Sequence, residues 1–250
     1  MNSKTVSLLF TLLCTSALHA VDVRFLAFDN KVTSQKVLVV TGAKDDHSEL
    51  IGDLAELKRS KNYKSTENAP VKLMIEGKKD ANGNPLTCEV PLKSATKPLV
   101  IIIATDKTPS GLAGVAVDDN ESNFKWGSVL AFNSCKEDMA LVFVPQGKPK
   151  VMAKIPAGWT PTTIMPPVEK GAFGMQLFKA SDLKSVMFSN VWTSDPGTRE
   201  LVFVMPSEDK RLGPVFPKVI TETRETLRAE EEAERARRGA ASNPPPGDHH

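Results

Sequence analysis

The sequence predicts an all-β protein of two tandem immunoglobulin-like β-sandwiches from an internal duplication, followed by a charged helical or disordered C-terminal tail. Three observations predict it. Short runs rich in Val, Ile and Phe are separated by Gly, Pro, Asn and Asp along most of the chain. The order of these runs repeats at an offset of roughly 100 residues, the size of one immunoglobulin-like domain. Near residue 221 the apolar runs stop and a run of Arg and Glu begins. At 250 residues the chain can bury two cores, and 40% hydrophobic and 25% charged residues are ordinary for a globular protein. A net charge of +2 provides no general attraction to nucleic acid or anionic membranes.

At the N-terminus, Lys4 precedes an apolar run from Val6 to Leu18, and Ala20 offers a cleavage point. This layout predicts a signal peptide over 1–20 and a protein that is periplasmic or secreted. The run is short for a membrane span, and no later stretch reaches ~20 apolar residues. Cys14 follows Leu13, where a lipid-anchor signal wants a small residue.

The first sandwich is assigned to 21–120, with strands VRFLAF (23–28), KVLVVT (36–41), VKLMIE (71–76), LTCEVPL (86–92) and LVIIIAT (99–105). Between them, SELIGDLAELKRS places Leu50, Leu54 and Leu57 at helical spacing behind Asp46 or Ser48 as cap, so 48–60 reads as a helix or as a strand. In DANGN, Asp80, Asn82 and Asn84 have calcium-loop spacing. Pro85 stands where that loop needs Gly, however, and a hairpin turn at Asn82-Gly83 is expected. DDNESN (118–123) reads as a solvated linker carrying the sequon Asn120-Glu121-Ser122.

The second sandwich, 124–220, has strands SVLAFN (128–133), ALVFV (140–144), FGMQLF (173–178), VMFSNVW (186–192) and ELVFVM (200–205). FLAFDN (25–30) recurs as VLAFNS (129–134), VKLMI (71–75) as FGMQL (173–177), and LVIIIATDK (99–107) as LVFVMPSEDK (201–210). The last match pairs Leu99 with Leu201. LVIIIA and LVFVM are apolar on both faces and are expected at the centres of sheets. Asp195-Pro196-Gly197 is a turn signal expected to fold one strand back as a hairpin. Alternation puts Trp192 on one strand face with Phe188 and Val186.

The tail, 221–250, sets glutamates at 222, 225, 230, 231, 232 and 234 against arginines at 224, 228, 235, 237 and 238. Leu227 is its only large aliphatic residue, so it reads as a solvated helix held by ion pairs or as disordered, with an extended Pro-rich end.

Chemistry is sparse. Beyond the signal the folded region holds one histidine, His47, and His249 and His250 end the chain. No catalytic, metal-binding or cofactor-binding residues are assigned, because no nucleophile-elbow, zinc or P-loop pattern occurs. Cys88 and Cys135 either pair as a disulfide, worth roughly 4 kcal/mol for a loop of that length, or stay as two buried thiols. Trp126, Trp159 and Trp192 are candidate contacts for a glycan or a protein partner, with Trp159 in PAGWTP the one expected to be exposed. Their alternative role is to fill sandwich cores. Nucleic acid is not expected as a partner, since Tyr63 is the only tyrosine and no basic stripe alternates with aromatics.

The runs AVDDNESNFKWGSVLAFN, GAFGMQLF and VWTSDPGTRELVFVMP resemble a group of uncharacterised secreted proteins from verrucomicrobial-type bacteria, over most of 22–220. The resemblance implies an exported β-sandwich, carries over no catalytic residues, and points to pilus-like or envelope machinery. The expectation is a non-enzymatic interaction or scaffold protein of the cell envelope, with glycan binding through exposed tryptophans as the alternative.

Overall fold

A computed structural model describes residues 20–40, 47–66, 69–147, 150–207 and 209–242. The segment 1–19, with Cys14 and most of the expected signal peptide, lies outside the described residues, as does the Pro-rich end.

Among the described residues the first unit has eight strands: β1 Ala20–Ala27, β2 Val37–Val40, β3 Ser48–Leu50, β4 Tyr63–Thr66, β5 Val71–Lys79, β6 Pro85–Val90, β7 Pro98–Ala104 and β8 Leu112–Asp118. A one-turn helix, α1 Asn30–Thr33, follows β1, and the Asp29 carboxylate accepts the Val32 N–H at its start. The second unit has β9 Val129–Asn133, β10 Met139–Val144, β11 Val151–Ile155, β12 Thr162–Ile164, β13 Gly171–Lys179, β14 Asp182–Ser194, β15 Thr198–Pro206 and β16 Val215–Thr223, and α2 Arg224–Ser242 closes the described chain.

The strands form four four-stranded sheets, in the orders β3-β2-β5-β6, β4-β1-β7-β8, β12-β9-β15-β16 and β11-β10-β13-β14. Adding eight to each strand of the first unit reproduces the sheets of the second. A parallel strand pairing in each unit, β1 with β7 and β9 with β15, falls at the same place. Leu73 lies opposite Val39, and Met175 opposite Phe143, so the VKLMI and FGMQL match is structurally in register. In the last strand the sequence match is two residues out. Leu26 faces Ile101 and Leu130 faces Leu201, which makes Ile101 the counterpart of Leu201. A slip of two keeps the same side chains on the same face, so alternation alone does not reveal it.

The two units are stacked through their inner sheets rather than strung apart. Phe25, Ala27, Val100 and Ile102 face the first core, and Ala131, Val202 and Val204 face the second. The intervening side chains Leu26, Phe28, Leu99, Ile101, Phe132, Leu201 and Phe203 form a third core between the inner sheets. Phe28 meets Phe203 edge-on, with ring centroids 5.4 Å apart. This is why LVIIIA and LVFVM are apolar on both faces: each lies in a sheet that is buried on both sides.

Residues 48–60 are not a helix. After β3 and a turn at Gly52-Asp53, the segment runs beside β1 and turns again at Leu57, which has a φ of 54°. There the Leu57 N–H donates to Ala27 O at 2.8 Å and Ser60 N–H to Phe25 O at 2.8 Å. Short β4 leaves these β1 carbonyls unpaired, and buried backbone groups must be satisfied. The leucines also separate, with Leu50 exposed, Leu54 against the first core and Leu57 against the central one.

The Asp195-Pro196-Gly197 turn forms as expected, with Asp195 Oδ1 accepting the Gly197 N–H at 2.7 Å. It is not a hairpin, however: β14 and β15 belong to different sheets, and the turn carries the chain from the outer to the inner layer. The DANGN turn does join a hairpin, β5 to β6, and Asp80 accepts the N–H groups of Asn82 and Asn84, both at 2.8 Å. These bonds hold the Asp80 carboxyl below its ordinary range. No described helix is long and apolar enough to cross a membrane.

Candidate functional site

The duplication lets one unit serve as a reference for the other. In the first unit the open side of the sandwich, between edge strands β6 and β8, is shut by Val90 lying over Gly114. A Cβ on that glycine would come within 2.4 Å of the valine. Val100, which faces the same core from β7, is fully buried. In register, the counterparts of Val90, Gly114 and Val100 are Trp192, Val219 and Glu200. Two larger side chains and a carboxylate thus replace a compact apolar contact.

The result is a groove of about 290 Å³ between edge strands β14 and β16, lined by Phe188, Val191, Trp192, Phe216, Pro217 and Val219 with Glu200 among them. One end is pinned. Gly213, at a φ of 86°, brings its backbone so close to Met187 O that an added Cβ would stand 2.7 Å away. Phe188 and Phe216 meet edge-on there at 6.1 Å. Farther along, Val191 is 70% and Val219 39% exposed. Trp192 is buried against the second core, and its Nε1–H donates to Glu200 Oε2 at 2.6 Å. Thr221 Oγ1 reaches the other carboxylate oxygen at 3.4 Å. Burial raises the pKa of Glu200 despite the two hydrogen bonds that lower it. Both strands are sheet edges, so each turns a row of backbone groups outward.

Trp192 and Phe188 share the inner face as expected, whereas Val186 does not. A bulge sets Phe178 opposite Val186 and Leu177 opposite Phe188, and Val186 is 49% exposed.

A second concentration of polar groups lies at the junction of the units. The Arg59 guanidinium bridges Asp119 and Glu222, and Arg199 bridges the same two carboxylates at 2.7 and 2.9 Å. Its four members come from the 51–60 segment, the 119–128 connection, β15 and β16. All are nearly buried, and the ring of two cations and two anions is neutral. Burial by itself would lower the Arg59 pKa, but Asp119 and Glu222 outweigh it and raise it above the ordinary value. The reading of 118–123 as a solvated linker therefore fails at Asp119. Arg199 also lies over Phe124 at 4.5 Å and Trp126 at 5.1 Å, and Arg224 covers Trp126 at 5.2 Å. Between this stack and α2 lies a cleft of about 570 Å³ with both signs of charge on its walls.

The three tryptophans share no exposed platform. Trp192 is in the groove wall and Trp126 in the arginine stack. Trp159, at a φ of 68°, packs edge-on against Phe28 at 4.6 Å beside the central core. Cys88 and Cys135 do not pair: both are free, one against the first core and one in the second, and burial raises both thiol pKa values. His47 is exposed just ahead of β3.

Sequence reasoning found Trp192 and missed its partners. The signal that could have exposed them was the repeat itself, once the two-residue slip in β15 was allowed. No protein-family model matches the chain, and no curated protein is similar to it.

Proposed function

We propose that this is an exported, non-catalytic interaction protein of the bacterial cell envelope that docks an extended segment of a partner protein in the β14–β16 groove. The observation that carries the reading is the contrast between two otherwise matching units. The side that Val90 and Gly114 close in one is held open by Trp192 and Val219 in the other, beside a 13-residue edge strand with exposed Leu183, Val186 and Val191. A long apolar edge strand recruits another strand unless something covers it. The expected partners belong to pilus-like or secretion machinery, and the units are taken to be immunoglobulin-like sandwiches. Export rests on the apolar run from Val6 to Leu18, with cleavage after Ala20, where β1 begins.

The test is site-specific photocrosslinking in the producing cell, from position 191 and from its first-unit counterpart, Glu89. Capture of envelope proteins from 191 and not from 89 supports docking at the groove. Equal capture from both positions, or capture from neither, rejects it. N-terminal sequencing of the recovered protein should begin at Val21.

A further inference from the structure

Among the described residues Glu200 is the only ionisable side chain lining the groove, and its bonds come from the neutral donors of Trp192 and Thr221. Half-buried as it is, it pairs with no cation among the described residues, although the junction ring shows how this protein compensates its more deeply buried carboxylates. Its counterpart in the first unit is the fully buried Val100, which shows that the sandwich itself does not require a charge there. Placing a carboxylate in an apolar setting is costly unless a cation meets it. A groove of 290 Å³ lies at the foot of the range of about 300–1,000 Å³ that encloses a drug-sized molecule, and it suits a single side chain better.

We infer that the segment docked between β14 and β16 carries a lysine or arginine whose charged end pairs with Glu200, flanked by apolar side chains that cover Phe216, Val191 and Val219. The inference rests on the docking reading above and adds its specificity: the edge strands recruit an extended chain, and Glu200 selects where along that chain the groove seats. Two neutral donors already hold the carboxylate in place, so the incoming cation meets a pre-organised acceptor.

The test is calorimetric titration of residues 21–250 with a blocked nonapeptide alternating valine and threonine around one central lysine. The same peptide with norleucine in place of the lysine is the comparison. The expected result is at least tenfold tighter binding of the lysine peptide, equivalent to about 1.4 kcal/mol. In Glu200→Gln, which keeps an acceptor for Trp192 Nε1–H, the two peptides should bind alike. Equal affinity of both peptides for the unaltered protein overturns the cation pairing and leaves the docking reading standing. Binding of neither peptide, or a concentration-dependent dimer abolished by Val191→Lys, overturns both. Because the peptide comparison needs no variant, it decides the matter even if Glu200→Gln fails to fold.

Discussion

Arg59 is the residue on which the junction turns. Its guanidinium is bidentate to both Asp119 and Glu222, a geometry lysine cannot copy. Truncation would leave two nearly buried carboxylates with Arg199 alone. Arg59→Ala is expected to cost about 3–5 kcal/mol, read as a shift of the urea midpoint. Arg59→Lys should recover only part of that loss.

Glu200 makes the complementary prediction. Burial raises its pKa in the folded state, so the native protein holds a proton that the unfolded chain has already released. Stability then falls as pH rises from the ordinary carboxylate value through the raised one, and the loss persists above it. Glu200→Gln removes that loss. Its melting temperature should exceed the parent's at pH 7 and equal it at about pH 3.5. A parent more stable than the variant at pH 7 would contradict the assignment.

Among the elements, α2 carries ion pairs that reach back to the first unit. It grows directly out of β16, capped by reciprocal bonds between Thr223 and Thr226, so its start is well defined. Arg24–Glu230 and Lys97–Glu231, at 3.8 and 3.7 Å, link it to the first unit, with the glutamates nearly half exposed. Surface pairs of this kind contribute at most about 1 kcal/mol each and weaken with salt. Trypsin cleavage within 224–238 should accelerate several-fold between 50 mM and 500 mM NaCl, with the sandwiches uncut. The sequence pattern showed that the tail lacks an apolar stripe. It did not show that the ion pairs reach back across the molecule, because their partners lie about 200 and 130 residues away along the chain. The same limit applied to 48–60, whose leucine spacing left helix and strand both open until the unpaired carbonyls of β1 claimed the segment.

At the scale of the whole molecule, the central core makes the two units interdependent. Leu26, Phe28, Leu99 and Ile101 would face water in an isolated first unit, and an apolar patch of that kind drives association. Residues 21–122 expressed alone should self-associate or fail to fold. A monodisperse, cooperatively folding fragment would mean that the units are independent. Phe203→Ala in the full chain should cost about 3–5 kcal/mol, because the ring fills the space between two sheets that cannot both close over the gap.

Period-two alternation, turn chemistry and the repeat were enough to establish an all-β protein of two similar units, because they depend on residues near one another in the chain. Even the double-sided apolarity of LVIIIA and LVFVM was legible as burial on both faces. Several things were decided only when distant segments met: that those faces pack against each other, that Asp119 belongs to a buried ring, that the cysteines occupy separate cores, and that Glu200 stands beside Trp192 in an open edge. The physical reason is common to all four. A charge, a thiol or an edge strand acquires its role from what lies within a few ångströms of it, and here those neighbours come from other strands, other sheets or the other unit.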